Sequence, residues 1–333
     1  MSYIEPSGDR ARAYRDAMDK SLWESVASLL GDDIAQPATR KAGPRDYGAY
    51  FDLASDHPAD GPVPEVIRKE ATIWLQTRMS SGTGADTSDG ERSPAIRTLT
   101  EEDLGAAGVA RLIRWWDVDP GNPMMLTAAT PEENADARDN LAKAFAHLSQ
   151  CDPELHDEIV TVVDEVILSS CADRSCGGTF AGASSFALWG AIAVNAGSLD
   201  SWPRYFQALV HEAGHNLLFA MARDEPLVTN DPCEKRSSPL RDDLRPLDGI
   251  FHAAFVSARE SLAFDRLLAW GERTGGLSDD EAAAVEKLLD TSVVVFAQCV
   301  ETLRGNGRFT PLGDAILSDC ERFMAETFAI VAH

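Results

Sequence analysis

Two histidines four residues apart, with a glutamate directly after the first, are the residues of this chain best suited by type and spacing to do chemistry. They lie in Leu209-Val210-His211-Glu212-Ala213-Gly214-His215-Asn216-Leu217-Leu218. On a helix, positions i and i+4 share a face, so His211 and His215 can offer two imidazole nitrogens to one metal ion while Glu212 stands beside them. Two chemistries fit. In a zinc peptidase a third ligand comes from downstream and Glu212 is the general base acting on metal-bound water. Glu260, two helical turns after His252, is the candidate ligand for that reading. In a non-haem iron enzyme three protein ligands leave open positions for a co-substrate and dioxygen, and His252 is the third ligand. A catalytically silent peptide-binding protein with a structural zinc site is a further reading.

The element that must present the pair is a helix. Asp200 and Ser201 offer N-cap oxygens, Pro203 suits the first turn, and Phe206, Leu209, Val210, Ala213 and Leu217 form an apolar stripe. Gly214 lowers helix propensity by roughly 1 kcal/mol relative to alanine, which implies close approach of another backbone or a ligand. From Ile250 the spacing of Phe251, Phe255, Ala258, Leu262 and Leu267 predicts a second helix with His252 near its start. Between the two, residues 226–246 read as irregular and polar. A 2-oxoglutarate enzyme needs a cation for the distal carboxylate while the 2-oxo acid end chelates the metal. Arg241 is placed for that role and Arg245 is the reserve, which favours iron over zinc.

His211-Glu212-Ala213-Gly214-His215-Asn216, then Ser238-Pro239-Leu240-Arg241, then Arg245-Pro246-Leu247-Asp248-Gly249-Ile250-Phe251-His252-Ala253 together resemble an H-E-x-x-H family of ribosomal peptide natural-product clusters. Its members are iron(II)- and 2-oxoglutarate-dependent peptide β-hydroxylases. The resemblance covers about residues 185–265. It implies His211, His215 and His252 as iron ligands, Arg241 with help from Ser238 as the 2-oxoglutarate clamp, and dioxygen as co-substrate. It also implies a precursor peptide as substrate, and it makes Glu212 either a residue that orients a neighbour or the base of the peptidase reading. Trp189, Phe186 and Phe255 are candidates to line the pocket, set against ordinary roles in the core.

The remaining elements are helical for the most part. Tyr14, Met18, Leu22, Val26 and Leu29 predict a helix over about 8–30, and Val66, Ile67, Ile73, Trp74 and Leu75 another, with 31–64 irregular between them. Residues 80–90 read as a linker or a loop over substrate. Helices are expected over about 101–116, from the Thr130-Pro131-Glu132-Glu133 capping box to about 150 with His147 on its surface, after Ser278, and over about 313–331. Asp117 and Asp119 read as turn chemistry. The apolar runs 159–168 and 186–194 predict two strands joined through the glycine-rich 176–182. The expected fold is α+β, mainly helical, with a small sheet and the metal-site helix packed beside it. Expected divisions are an N-terminal helical region over 1–95 and a catalytic region over 96–333, together one continuous domain in the simplest case.

Composition excludes partners more than it names them. With 30 basic and 54 acidic residues the net charge is −24, which argues against nucleic acid or an anionic membrane and for a neutral or basic partner. No apolar run is long enough to span a bilayer, and the N-terminus lacks a basic region followed by an apolar one, so a cytoplasmic protein is expected. Six cysteines at 151, 171, 176, 233, 299 and 320 are too sparse for a disulfide scaffold, and Cys171 with Cys176 makes a poor metal pair. Nothing in the sequence bears on oligomeric state.

Overall fold

The computed structural model describes residues 2–30, 41–55, 64–80, 93–119, 123–172, 180–239 and 241–329. All of the loop expected at 80–90 except Ser80, and most of the glycine-rich 176–182 connection, lie outside them. In chain order the elements are helices α1 (Gly8–Leu30), α2 (Pro44–Ser55) and α3 (Glu65–Ser80), strand β1 (Ala95–Thr98), α4 (Glu101–Leu104), α5 (Ala106–Trp116), β2 (Leu126–Thr127), α6 (Pro131–Cys151), α7 (Pro153–Val162), β3 (Glu165–Cys171), β4 (Gly182–Ser184), β5 (Ala191–Asn195), α8 (Trp202–Met221), β6 (Lys235–Ser238), β7 (Arg241–Pro246), α9 (Leu247–Thr274), α10 (Asp279–Asn306) and α11 (Pro311–Phe328). The fold is therefore α+β and mainly helical with a small mixed sheet.

The chain divides into two compact units, and each is assembled from separate stretches. One takes Met1–Arg10, Ala135–Ile159 and Leu199–His333, the other Ala11–Asn134 and Val160–Ser198. The boundary expected after residue 95 lies inside the second of these. The sheet belongs wholly to that second unit, whereas α8 belongs to the first.

In the second unit β1, β3 and β5 run parallel in that order, β4 pairs antiparallel on the outer edge of β5, and β2 pairs antiparallel with the end of β3. Val166, Ile167 and Leu168 of β3 and Ala191 to Val194 of β5 are buried, as expected of interior parallel strands. Leu99, Leu104, Leu112, Trp116 and Leu188 pack with Ile167 and Ala193 into one core. Gly105, at φ 72°, breaks the helix expected over 101–116 into α4 and α5. The Asp117 carboxylate accepts the N–H groups of Met124 and Met125, seven and eight residues on, while most of the Pro-Gly turn expected after it lies outside the described residues.

Five expectations change. Residues 44–55, expected irregular, form α2, in which Tyr47, Ala49 and Leu53 are buried on more than one side despite the surrounding prolines and glycines. Ile159, Val160 and Val162 are in α7, and the strand begins only at Glu165. Short buried apolar runs suit either element, and periodicity alone does not separate them. Likewise Phe186–Leu188 is a single 3-10 turn, and the second strand starts at Ala191. In turn, 226–246 is not irregular throughout, since β6 and β7 pair as an antiparallel hairpin. His147, expected on a helix surface, instead stacks on Trp202 with ring centroids 4.2 Å apart and stands edge-on to Trp270.

In the first unit α9 packs against α8, α10 and α11, with the β6–β7 hairpin on α9 and α10. A capping box at Ser278 and Glu281 starts α10, and the Thr310 side chain caps α11 ahead of Pro311. Arg259 of α9 is buried against Glu158 of α7 and also donates to the Ile4 carbonyl at 2.6 Å. No helix among the described residues is long and apolar enough to cross a membrane.

Candidate metal centre

Ser201 is the N-cap of α8, as its position suggested. Its hydroxyl, however, donates to Asp200 and makes no cap bond to the helix. Phe206, Leu209, Val210, Ala213 and Leu217 are all buried, so the stripe fixes the rotation of the helix and leaves His211 and His215 on the neighbouring face. Helix α9 lies against that face. At Gly214 a Cβ would stand 3.1 Å from Cγ1 of Val256, so this glycine lets the second helix come close. Val256 is one turn from both His252 and Glu260, which sets those two residues on the same face of α9.

The pairings are antiparallel, with His215 against His252 and His211 against Glu260. The Nε2 atoms of His211 and His215 are 3.1 Å apart, and the Nδ1 atoms of His215 and His252 are 3.0 Å apart. His211 Nδ1 donates to Glu260 Oε1 at 2.8 Å. Phe219, one further turn along α8, packs its ring 5.1 Å from that of His252. The three imidazoles are half-buried while Glu212 and Glu260 are buried, so the cluster forms a small opening in an otherwise closed helix pair.

Electrostatics divides the histidines. Burial opposes a charge on His211, but the hydrogen bond to Glu260 and the charges of Glu260 and Glu212 prevail and raise it to about 9. Burial, together with the charges of His211 and His252, holds His215 well below the ordinary histidine range. Burial also lowers His252, against the opposing pull of Asp248. A neutral imidazole is the form that ligates metal.

Two nitrogens each bound about 2.0–2.1 Å from one ion lie roughly 2.9–3.4 Å apart at the angles of common coordination geometries. The His211 and His215 pair has that spacing. His252 sits instead beside the other nitrogen of His215. With the rings so turned, no group of three or more His, Cys, Asp or Glu side chains among the described residues is disposed to hold a metal. For His252 to share an ion with His211 and His215, its ring would have to leave the Nδ1 side of His215. The donor set, three imidazoles with a buried carboxylate behind one of them, fits a divalent transition metal.

The other sequence-derived residues are placed as follows. Ser238 is the last residue of β6 and pairs in register with Arg241, the first of β7. The Arg241 side chain lies outside the described residues. Arg245 is half-buried near the end of β7, opposite Arg236. Phe255 is buried in α9. Trp189 and Phe186 belong to the second unit, where Trp189 packs on Tyr47 and Phe186 on Phe51. Sequence reasoning missed Phe219, Gln207 and Ser292. The first was open to discovery, since 211, 215 and 219 continue one i+4 row; Ser292, on a different helix, carried no such signal. No protein-family model matches the chain, and no curated protein matches it either.

Proposed function

We propose that this chain is an iron(II)- and 2-oxoglutarate-dependent oxygenase that hydroxylates the β-carbon of a residue in a ribosomally made precursor peptide. Its place would be the cytoplasm, where such peptides are synthesised. The observation that carries the reading is the meeting of His211, His215 and His252 across α8 and α9, with Glu260 engaged on the other ring nitrogen of His211. That favours a three-histidine donor set over one that enlists Glu260, and with it the oxygenase over the peptidase. Resemblance of the 185–265 segment to the peptide hydroxylases supports iron as the ion.

When bound, iron with 2-oxoglutarate and dioxygen supplies the oxidising power that replaces a C–H bond by C–OH. The chain's own contribution is positioning. His211, His215 and His252 would hold the ion on one side and leave the other open. Arg241, or Arg245 further along the same strand, would take the distal carboxylate of 2-oxoglutarate with Ser238 beside it. Glu212, buried next to His211, would orient its neighbours rather than activate water.

The test is succinate formation by anaerobically prepared protein given iron(II), 2-oxoglutarate and oxygen, with zinc-loaded protein as control. Iron-dependent succinate is the expected result. Peptide cleavage by the zinc form, with no succinate from the iron form, would replace this reading with the zinc peptidase and make Glu212 its base.

A further inference from the structure

Behind His211 lies a set of contacts that draws on three helices. Glu260 of α9 has both carboxylate oxygens committed. Oε1 accepts from His211 Nδ1 at 2.8 Å, while Oε2 accepts from Ser292 Oγ of α10 at 2.5 Å and from Gln207 Nε2 of α8 at 3.3 Å. Glu260 is 4% exposed and Ser292 2%. A carboxylate so enclosed survives only where donors replace its lost water, and three donors do so here. The Ser292 hydroxyl also stands 3.1 Å from the Leu288 carbonyl one turn back, so its rotamer is held from below.

We infer that Glu260 is a positioning residue for metal binding, holding His211 by Nδ1 so that Nε2 stays directed at His215, and that Ser292 and Gln207 hold Glu260 in turn. The inference rests on the metal reading above. Its chemistry is that of a carboxylate behind a ligating imidazole, which fixes the orientation of the ring and strengthens it as a donor. It also gives Glu260, the ligand candidate of the peptidase reading, a different task. With Oε1 on the imidazole and Oε2 on two further side chains, both of its oxygens are already engaged within the protein. α10 carries no histidine, yet through Ser292 it acts on the site.

The experiment uses cobalt(II) as probe with full-length protein, reading affinity from its visible absorption bands and fold from the metal-free melting temperature. Wild type is expected to bind one equivalent. Glu260→Gln, nearly isosteric, should bind about 10–100-fold more weakly with the band positions kept. Ser292→Ala should weaken binding in the same direction, and Ser292→Thr, which keeps the hydroxyl, should restore it. A merely structural role would lower the metal-free melting temperature and leave the affinity of the folded protein alone. Unchanged cobalt affinity in Glu260→Gln overturns the inference while leaving the metal site standing. Bands that shift in that variant overturn it differently, by making Glu260 a ligand. No cobalt binding by wild type would remove both the inference and the function proposed above.

Discussion

Gly214 sets how closely α9 can approach the two histidines of α8. A methyl there would meet Val256 at 3.1 Å, a contact that a shift of a few tenths of an ångström relieves, and alanine recovers helix propensity of up to about 1 kcal/mol. Gly214→Ala should therefore be close to neutral in chemical denaturation. Gly214→Val should cost about 1–3 kcal/mol by overpacking and weaken cobalt binding as well, because α9 carries His252 and Glu260. A second residue, Asp19 in the other unit, is buried beside Arg15 and receives the Tyr47 hydroxyl at 3.3 Å. Burial, only partly offset by Arg15, raises its carboxyl from 3.8 to about 7. The folded state thus binds this proton more tightly than the unfolded chain does. The resulting stabilisation is complete below about pH 4 and is lost as the pH rises through about 7. Asp19→Asn should be more stable than wild type by about 1–2 kcal/mol at pH 8, and no more stable at pH 4. Urea denaturation at the two pH values measures both numbers, and an equal gain at pH 4 would show that charge is not the cause.

Helices α8, α9 and α10 were legible in the sequence because caps and 3.6-residue periodicity agree over long stretches. The same agreement put His211, His215 and His252 on faces that could meet. What could not be read was which face of one helix opposes which residue of another. Sequence spacing sets His252 and Glu260 on one side of α9, yet only the antiparallel docking across Gly214 decides that one meets His215 and the other the far nitrogen of His211. Helix α7 was hidden for a different reason. Its Leu155, Ile159 and Val162 do stand at helical spacing and are buried, but the apolar residues run on through Val163 toward Val166 of β3, which masks where the helix ends and the strand begins. The N-terminal segment before α1 was equally invisible, since its order comes from α11. The Asp319 carboxylate accepts from Ser2 Oγ at 2.8 Å and from the N–H groups of Tyr3 and Ile4 at 2.5 and 3.0 Å. Asp319→Ala leaves those donors without their acceptor and should lower stability by about 1–3 kcal/mol. Limited proteolysis read by mass spectrometry should then show cleavage within residues 2–7 that wild type resists.

With a net charge of −24 the whole molecule repels itself. Added sodium chloride should raise the melting temperature by screening that repulsion, and it should weaken binding of a basic precursor peptide in the same range of ionic strength. Peptide affinity that does not vary with salt would rule out charge steering and leave the acidic surface as a device for solubility alone. The joint between β7 and α9 bears on the site in another way. Pro246 is at once the last residue of the strand and the N-cap of the helix, with φ −55°, so no loop separates the two. A displacement of the hairpin would thus act directly on the start of α9, where His252 stands fewer than two turns from that joint. Under the proposed function, a co-substrate held by that strand would therefore bear on the helix that carries His252, and its binding and the geometry of the histidines would be linked.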